Sequence, residues 1–156
     1  MIKIMFVCLG NICRSPMAEF VFRDMLEKEG ISDRFVIASC ATSTEEIGNP
    51  VHPGTKRKLM EHGISVEGKH TVQLQRKDYD EYDYLLAMEE RNIVNIKRII
   101  KEDSEHKVHR LLDFSEFPRD IADPWYTGNF DKTYDDVVEG CKGFLKFLKA
   151  THGINQ

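Results

Sequence analysis

The sequence predicts an α/β fold in which a central four-stranded parallel sheet is flanked by helices, in three layers. Segments of strand length alternate along the chain with segments of helical periodicity, a pattern typical of parallel sheets covered on both faces. The first segment, about residues 2–7, is apolar on both faces, as expected for a strand buried in such a sheet. No repeat, low-complexity tract or linker-like change in composition interrupts the 156 residues, so we expect a single domain over residues 1–156.

Two strands and two helices are predicted in the first half of the chain. After the first strand, a helix over about residues 15–29 carries apolar side chains at helical spacing and ends at Gly30. The apolar residues at 34–38 predict the second strand. Segment 39–53 contains glycine and prolines and predicts a loop, after which a short helix ends at Gly63.

Two further strands and two further helices are predicted in the second half. Residues 84–88 indicate the third strand, followed by a helix with three isoleucines on its inner face. Residues 108–112 predict the fourth strand, and apolar side chains at helical spacing over about 132–149 predict the last helix. Residues 113–131 show no convincing periodicity, and a loop of this length in a small domain is usually functional.

Composition and charge argue against several classes of function. The net charge of −4 argues against general nucleic-acid binding, so any anion site must be local. No apolar run approaches the roughly 20 residues of a membrane span, and the apolar start is too short for a signal peptide. The four cysteines lack zinc-finger spacing and the density of a secreted disulfide scaffold. We therefore expect a cytoplasmic protein without nucleic-acid or membrane partners.

The motif Cys-Leu-Gly-Asn-Ile-Cys-Arg-Ser-Pro, residues 8–16, lies between the first predicted strand and the first predicted helix. The five residues between Cys8 and Arg14 let the backbone curl so that successive N–H groups point at one centre, which the positive N-terminus of the helix also faces. Arg14 can bind two oxygens of a phosphate side by side. Cys8 lies at the bottom of this positive loop, where a thiolate is favoured over a thiol. The motif predicts a reactive cysteine directed at a phosphate.

Asp123 is the candidate general acid. Attack of a thiolate on a phosphate monoester expels an alkoxide or phenolate, which needs a proton donor nearby. Asp123 lies in the long predicted loop, Pro124 restricts the backbone after it, and Trp125 and Tyr126 are suited to flank an aromatic substrate. The alternative interpretation is that Asp-Pro only begins a turn, which is the commoner role of this dipeptide.

Together these residues resemble the low-molecular-weight protein tyrosine phosphatases. The resemblance rests on residues 7–16 and the later Asp-Pro, and it extends over nearly the whole chain. Further matching segments are Ala41–Thr44, Gly48–Pro50, Gly63–Ile64 followed by His70, and Met88 followed by Asn92. The resemblance implies the phosphotyrosine protein phosphatase I-like fold. It also implies activity on phosphotyrosine proteins or small aryl phosphates, with inorganic phosphate as product and inhibitor, and no metal or cofactor.

The resemblance further implies a role for each site residue. Cys8 is the nucleophile that forms a phosphocysteine, Arg14 binds the phosphate, and Asp123 protonates the leaving group and later activates water. Ser15 donates its hydroxyl hydrogen to the Cys8 thiolate and is still able to accept an N–H as the helix N-cap. Asn11 braces the loop at a position suited to a residue that tolerates positive φ. The residues of phosphate binding and loop support are Leu9, Gly10, Asn11, Ile12, Cys13, Ser15, Ser39 and His70, the Ser39–His70 pair being expected to support Asn11.

Cys13 has two interpretations. It is either a thiol that packs the loop or a partner of Cys8 in a reversible disulfide that protects the nucleophile from over-oxidation. The resemblance favours the disulfide. Cys40 and Cys141 are expected to be buried small apolar residues.

The chain departs from the family pattern around the expected cleft. Glu45 replaces an aromatic residue of the cleft wall, which leaves Trp125 and Tyr126 to hold the substrate ring and disfavours acidic flanking sequence. Glu89 stands where the family commonly has Asp, so a brace from this carboxylate to the phosphate loop is left open.

Three other functions are weighed against this one. Arsenate reductases of the same fold use a further, closely spaced cysteine pair, whereas Cys40 and Cys141 are far apart in the sequence. Protein-arginine phosphatases share the loop but typically carry Thr at the position of Ile12, whose apolar side chain favours a flat phenyl ring. A non-catalytic phosphate-sensing module would need neither Cys8 nor Asp123.

Overall fold

Four parallel strands form the central sheet of the structure, a computed structural model that describes residues 1–154. The strands are β1 Ile2–Cys8, β2 Phe35–Ala41, β3 Tyr84–Ala87 and β4 Val108–Arg110. Their order in the sheet is β2-β1-β3-β4, and every neighbouring pair is parallel. The predicted four-stranded parallel sheet is confirmed, and β1 lies in its interior with the end of the strand at Cys8.

Helices cover both faces of this sheet. They are α1 Arg14–Lys28, α2 Pro53–Met60, α3 Arg76–Glu81, α4 Glu90–Ile100, α5 Pro124–Thr127 and α6 Phe130–His152. Alternate side chains of β1 enter two separate cores: Ile4 and Phe6 pack with α1 and α6, whereas Met5 and Val7 pack with α3 and α4. This period of two is the geometry of an extended strand. The predicted three-layer arrangement is therefore confirmed.

In the first half of the chain, two elements differ from prediction and the end of the first helix is confirmed. β2 runs on through residues 39–41, which we had predicted to be loop, because Ser39 and the two residues after it pair with the end of β1. Helix α3 was missed, since its charged sequence Arg-Lys-Asp-Tyr-Asp-Glu shows no apolar periodicity. Helix α1 ends near Gly30 as predicted, and Gly30 has a positive φ of 72°.

The second half differs most from prediction in the long loop. Residues 108–112 form a shorter strand than expected, because a 3₁₀ turn begins at Leu111 and continues to Phe114. The loop after it contains the short helix α5. Gly143 of α6 lets the start of this loop approach the helix closely, since a Cβ there would lie 2.2 Å from the carbonyl oxygen of Phe114. Arg119 of the loop also forms ion pairs with Asp136 and Glu139 of α6, so the loop is attached to the last helix.

The last helix is longer than its predicted range. Asn129 caps it by accepting a 2.9 Å hydrogen bond from the N–H of Lys132, and Gly153 ends it in the left-handed region. Among the helices formed by residues 1–154, none combines the length and the apolar character needed to cross a bilayer.

Candidate active site

The phosphate loop, residues 8–15, curls between the carboxyl end of β1 and the start of α1. The carbonyl groups of residues 8–13 point away from the centre of the loop, and each accepts a hydrogen bond from a neighbouring segment. These bonds run from His52 N to Ile12 O at 2.9 Å, from Thr71 Oγ1 to Asn11 O at 3.0 Å and from Thr55 Oγ1 to Cys13 O at 3.2 Å. The N–H groups of Gly10, Ile12 and Cys13 donate no hydrogen bond within residues 1–154. They are available to an anion held in the loop.

The thiol of Cys8 lies in the centre of this loop and is 3% exposed. Its Sγ accepts a hydrogen bond from the N–H of Asn11 at 3.2 Å, and the Oγ of Ser15 lies 3.0 Å from it. The expectation that Ser15 caps the helix is wrong: the N-cap is Cys13, and no side chain caps this end. Ser15 instead accepts a 2.7 Å hydrogen bond from Asn11 Nδ2, and its own proton has two acceptors in reach, the sulfur of Cys8 at 3.0 Å and, farther away, the carbonyl oxygen of Cys40 at 3.5 Å.

Asn11 is the brace of the loop and has a φ of 57°. Besides Ser15, its Nδ2 donates to Ser39 Oγ at 2.9 Å, and Ser39 in turn donates to Glu19 Oε1 at 2.5 Å. Lys69 Nζ completes the network, 3.4 Å from the same Glu19 oxygen and donating to the carbonyl of Ser39 at 2.8 Å. A continuous chain of polar contacts thus links Cys8 to a buried ion pair.

The structure does not place His70 in this network. His70 is exposed and makes no side-chain hydrogen bond within residues 1–154, because the chain turns so that its neighbour Lys69 faces Ser39. Glu19 and Lys69 are site residues that the sequence analysis missed. A signal for Glu19 was present, since it follows Ser15 by one helical turn and lies on the buried side of α1. Burial of this carboxylate is compensated by Lys69 and by Arg23, whose Nη2 lies at 2.8 Å.

Arg14 is almost completely buried beside the loop, with 2% of its side chain exposed. Its Nη1 forms an ion pair with Glu89 and donates to the carbonyl of Ile121 at 2.8 Å, while its Nη2 lies 3.4 Å from Asp123 Oδ2. Burial opposes the charge, but the nearby Cys8, Asp123 and Glu89 outweigh it and the pKa of Arg14 is raised. The guanidinium therefore stays charged, and Glu89 supplies the brace that the sequence had left open.

Asp123 is brought to the loop from 109 residues away. Ile121 anchors the segment, since its N–H donates to Met88 O at 2.8 Å while its carbonyl accepts from Arg14. Asp123 Oδ1 accepts from the N–H of Trp125 at 3.1 Å and so caps α5, whose first residue is Pro124. The interpretation of Asp-Pro as the start of a turn is confirmed, and the same turn places the other carboxylate oxygen of Asp123 near Arg14.

A cavity of about 130 Å³ opens over the phosphate loop. It is lined by residues 8–14 together with Ser43, Glu45, Glu46, Asp123, Trp125 and Tyr126. The two aromatic side chains are 58% and 78% exposed, so they form an open rim rather than a closed wall. Glu46, which we did not predict, adds a second carboxylate beside Glu45. A larger depression of about 850 Å³ lies elsewhere, and none of Cys8, Arg14 and Asp123 lines it.

The remaining thiols differ in their access to this cavity. Cys13 lines it, and burial together with the nearby charges of Asp123 and Cys8 raises the pKa of Cys13 to about 12. Cys40 and Cys141 are fully buried away from it, as expected, and burial raises the pKa of both thiols. Only Cys8 and Cys13, among the cysteines, therefore face the space in which a substrate or oxidant would bind.

Comparison with known proteins agrees with this geometry. A family model described as low molecular weight phosphotyrosine protein phosphatase matches residues 3–153. The chain is 40% identical over 151 residues to the low molecular weight protein-tyrosine-phosphatase YfkJ of Bacillus subtilis, covering 96% of this chain and 97% of that protein. It is 37% identical over 149 residues to the phosphatase PtpA of Staphylococcus aureus, covering 95% and 94% respectively.

Solved structures give the same result. The crystal structure of YfkJ from Bacillus subtilis superposes with a TM-score of 0.93 at 39% identity, covering 97% of this chain and 96% of that one. Wzb of Vibrio vulnificus, solved in complex with benzylphosphonate, has a TM-score of 0.81 at 27% identity, with 94% and 99% covered. The chain belongs to the low molecular weight phosphotyrosine protein phosphatase family, whose members are phosphoric monoester hydrolases.

Proposed function

We propose that the chain works as a single phosphatase domain that hydrolyses phosphotyrosine through a phosphocysteine intermediate. The observation that carries this proposal is the presence of Cys8, Arg14 and Asp123 in one small cavity with Trp125 and Tyr126 at its rim. A thiolate, a phosphate clamp, a carboxyl group and an aromatic rim are the parts that this reaction requires.

In the first step the Cys8 thiolate attacks phosphorus and the bond from phosphorus to the phenolic oxygen breaks. The free N–H groups of the loop and the guanidinium of Arg14 bind the three equatorial oxygens as charge redistributes. Asp123 transfers its proton to the leaving phenolate. The hydroxyl of Ser15, 3.0 Å from Sγ, stabilises the thiolate before attack.

In the second step water attacks the phosphocysteine on the face that the phenol has left. Asp123, now a carboxylate, accepts the proton from this water, and the bond from sulfur to phosphorus breaks. Inorganic phosphate leaves and the Cys8 thiolate is regenerated. Because the product occupies the same loop as the substrate's phosphoryl group, we expect inorganic phosphate to inhibit competitively.

The cavity favours an aryl substrate over a guanidinium. Ile12 and the aromatic pair present apolar surface to a flat ring, and the structural relative Wzb was solved with benzylphosphonate, a phosphonate that carries a phenyl ring on a methylene group.

A comparison of turnover on phosphotyrosine, phosphoarginine and phosphoserine peptides, together with arsenate reduction, tests the assignment. We expect kcat/KM on phosphotyrosine to exceed the other two by at least about 100-fold, because a phenolate leaves far more readily than an alkoxide and Ile12 offers no polar partner to a guanidinium. Faster turnover of phosphoarginine, or reduction of arsenate, would overturn it.

We further propose that Cys13 protects Cys8 from over-oxidation. Hydrogen peroxide oxidises the Cys8 thiolate to a sulfenic acid with release of water or hydroxide. The sulfur of Cys13 then attacks that sulfur and displaces the sulfenic oxygen as water, which forms the disulfide. Both thiols line the same cavity, and the raised pKa of Cys13 keeps it protonated at neutral pH.

Because the pKa of Cys13 is raised, the rate at which the Cys8–Cys13 disulfide forms should depend on pH. After one equivalent of peroxide, we expect mass spectrometry to show a Cys8–Cys13 bond that thiols reverse, forming about tenfold faster for each pH unit between 7 and 8.5, because the attacking thiolate of Cys13 grows in proportion. The Cys13→Ser variant should accumulate sulfinic acid at Cys8 instead. Sulfinic acid alone in the unmodified protein would contradict protection by Cys13.

A further inference from the structure

A second depression lies beside the catalytic cavity on the far side of Leu9. It has a volume of about 280 Å³ and is lined by Leu9, Thr42, Ser43, Asn95, Arg98 and Ile99. Leu9 and Ser43 line the catalytic cavity as well. The two spaces are thus separated by a single residue of the phosphate loop.

The backbone fixes this arrangement firmly. The N–H of Thr42 donates to Cys8 O at 3.0 Å, and the N–H of Ser43 donates to Leu9 O at 3.0 Å. Leu9 is 37% exposed and forms the ridge between the two spaces. A peptide whose phosphotyrosine enters the catalytic cavity therefore places a neighbouring residue over the second depression.

Charge distinguishes the two spaces. Glu45 and Glu46 line the catalytic cavity but not the depression, whereas Arg98 lines the depression but not the cavity. Arg98 is exposed and its side chain has no carboxylate partner within residues 1–154; the one hydrogen bond of that side chain is to Asn95 Oδ1 at 3.3 Å. An acidic side chain is repelled on the Glu45 side and attracted on the Arg98 side.

Two further polar groups are suited to the same ligand. Thr42 is nine-tenths buried, and its hydroxyl has no hydrogen-bond partner within residues 1–154. The side-chain N–H₂ of Asn95 likewise donates to no acceptor there. An ionised carboxylate only accepts hydrogen bonds, so the donors of Arg98 and Asn95 match its chemistry. The hydroxyl of Thr42 is a third donor for a carboxylate bound in the depression.

We propose that this depression is a substrate subsite for the carboxylate of an Asp or Glu next to phosphotyrosine, with Arg98 as the specificity-determining residue. The subsite rests on the proposed phosphotyrosine hydrolysis and adds to it the class of sequence preferred. It also revises the expectation that acidic flanking residues are disfavoured throughout: Glu45 disfavours them on one side only.

The test is a set of phosphotyrosine peptides on a neutral core, with Glu, Gln or Lys placed at one position at a time from two residues before to two residues after the phosphotyrosine. kcat/KM is measured for the unmodified protein, Arg98→Ala, Arg98→Glu and, as a matched control, Lys97→Ala. Lys97 is an exposed cation on the same helix that lines neither space. Phosphotyrosine itself serves as the substrate that cannot reach the subsite.

For the unmodified protein we expect kcat/KM to be about twofold to fivefold higher for the Glu peptide than for the Gln peptide at one position at low salt, which is the size of an exposed ion pair. The difference should be smaller at high salt. Arg98→Ala should remove the preference, Arg98→Glu should replace it by a preference for Lys, and Lys97→Ala should retain it. All variants should hydrolyse phosphotyrosine equally. No advantage of Glu at any position, or equal losses in Lys97→Ala and Arg98→Ala, would overturn the subsite. Absence of phosphotyrosine turnover would overturn the proposed function itself, and the subsite with it.

Discussion

Replacing Cys8 by Ser is expected to lower kcat on phosphotyrosine by at least about 10⁴-fold, because a hydroxyl in place of the thiolate is a poor nucleophile. Phosphate affinity should change little, since the donors that bind the anion are the N–H groups of the loop and Arg14. Turnover measured with isothermal titration of inorganic phosphate checks both statements. Rapid quenching during turnover should trap a phosphocysteine in the unmodified protein and no phosphoenzyme in the variant.

A matched control removes a different thiol. Cys141 is fully buried on α6 and does not line the cavity, so Cys141→Ala should retain kcat. We expect it to lower the free energy of unfolding by about 1 kcal/mol, because one buried sulfur is lost from the core. Retained turnover in Cys8→Ser, or an equal loss in Cys141→Ala, would refute the role of Cys8.

Replacing Asp123 is expected to slow hydrolysis most for the poorest leaving groups. On phenyl phosphate we expect a loss of about 10² to 10⁴-fold, the usual size of general acid catalysis, whereas nitrophenyl phosphate should lose much less because its phenolate needs no proton. The measurement is the single-turnover rate constant of phenol release across a series of aryl phosphates, so that hydrolysis of the phosphoenzyme does not contribute. The dependence on leaving-group pKa should be steeper in the variant.

Two variants separate the acid from the helix cap. Asp123 also caps α5, so Asp123→Ala loses the cap, worth about 1 kcal/mol, along with the proton donor. Asp123→Asn keeps an oxygen that can accept from Trp125 and loses only the acid. Similar losses in both variants assign the effect to the proton. Near-normal activity in Asp123→Asn, or equal losses across all leaving groups, would remove Asp123 from the acid role.

The sequence predicted the parts of the molecule that depend on near neighbours. The strand, loop and helix around residues 8–15 follow from apolar spacing, from the positive φ that Asn11 tolerates and from the free N–H groups at a helix start. The parallel sheet follows from strands alternating with helices. Errors occurred where periodicity is weak: α3 is too short and too polar to show a pattern, and the loop before Asp123 is ordered by contacts outside itself.

The wrong placement of His70 has the same cause. Position in sequence could not show which of two adjacent residues faces Ser39, because that depends on how segment 68–71 crosses the end of the sheet. Glu89 is a similar case: its extra methylene compared with Asp is accommodated, and it still reaches Arg14.

The sequence by itself determined a cysteine at the end of a buried strand, a phosphate loop around it and the family to which the chain belongs. Only the tertiary structure decided which contacts the distant side chains make: Asp123 lies against Arg14, Glu19 and Lys69 lie behind Asn11, and Arg98 lies in the same depression as Leu9. The physical reason is that backbone propensity and helix termini act over a few residues, whereas these contacts arise from packing of helices and loops onto a shared sheet edge.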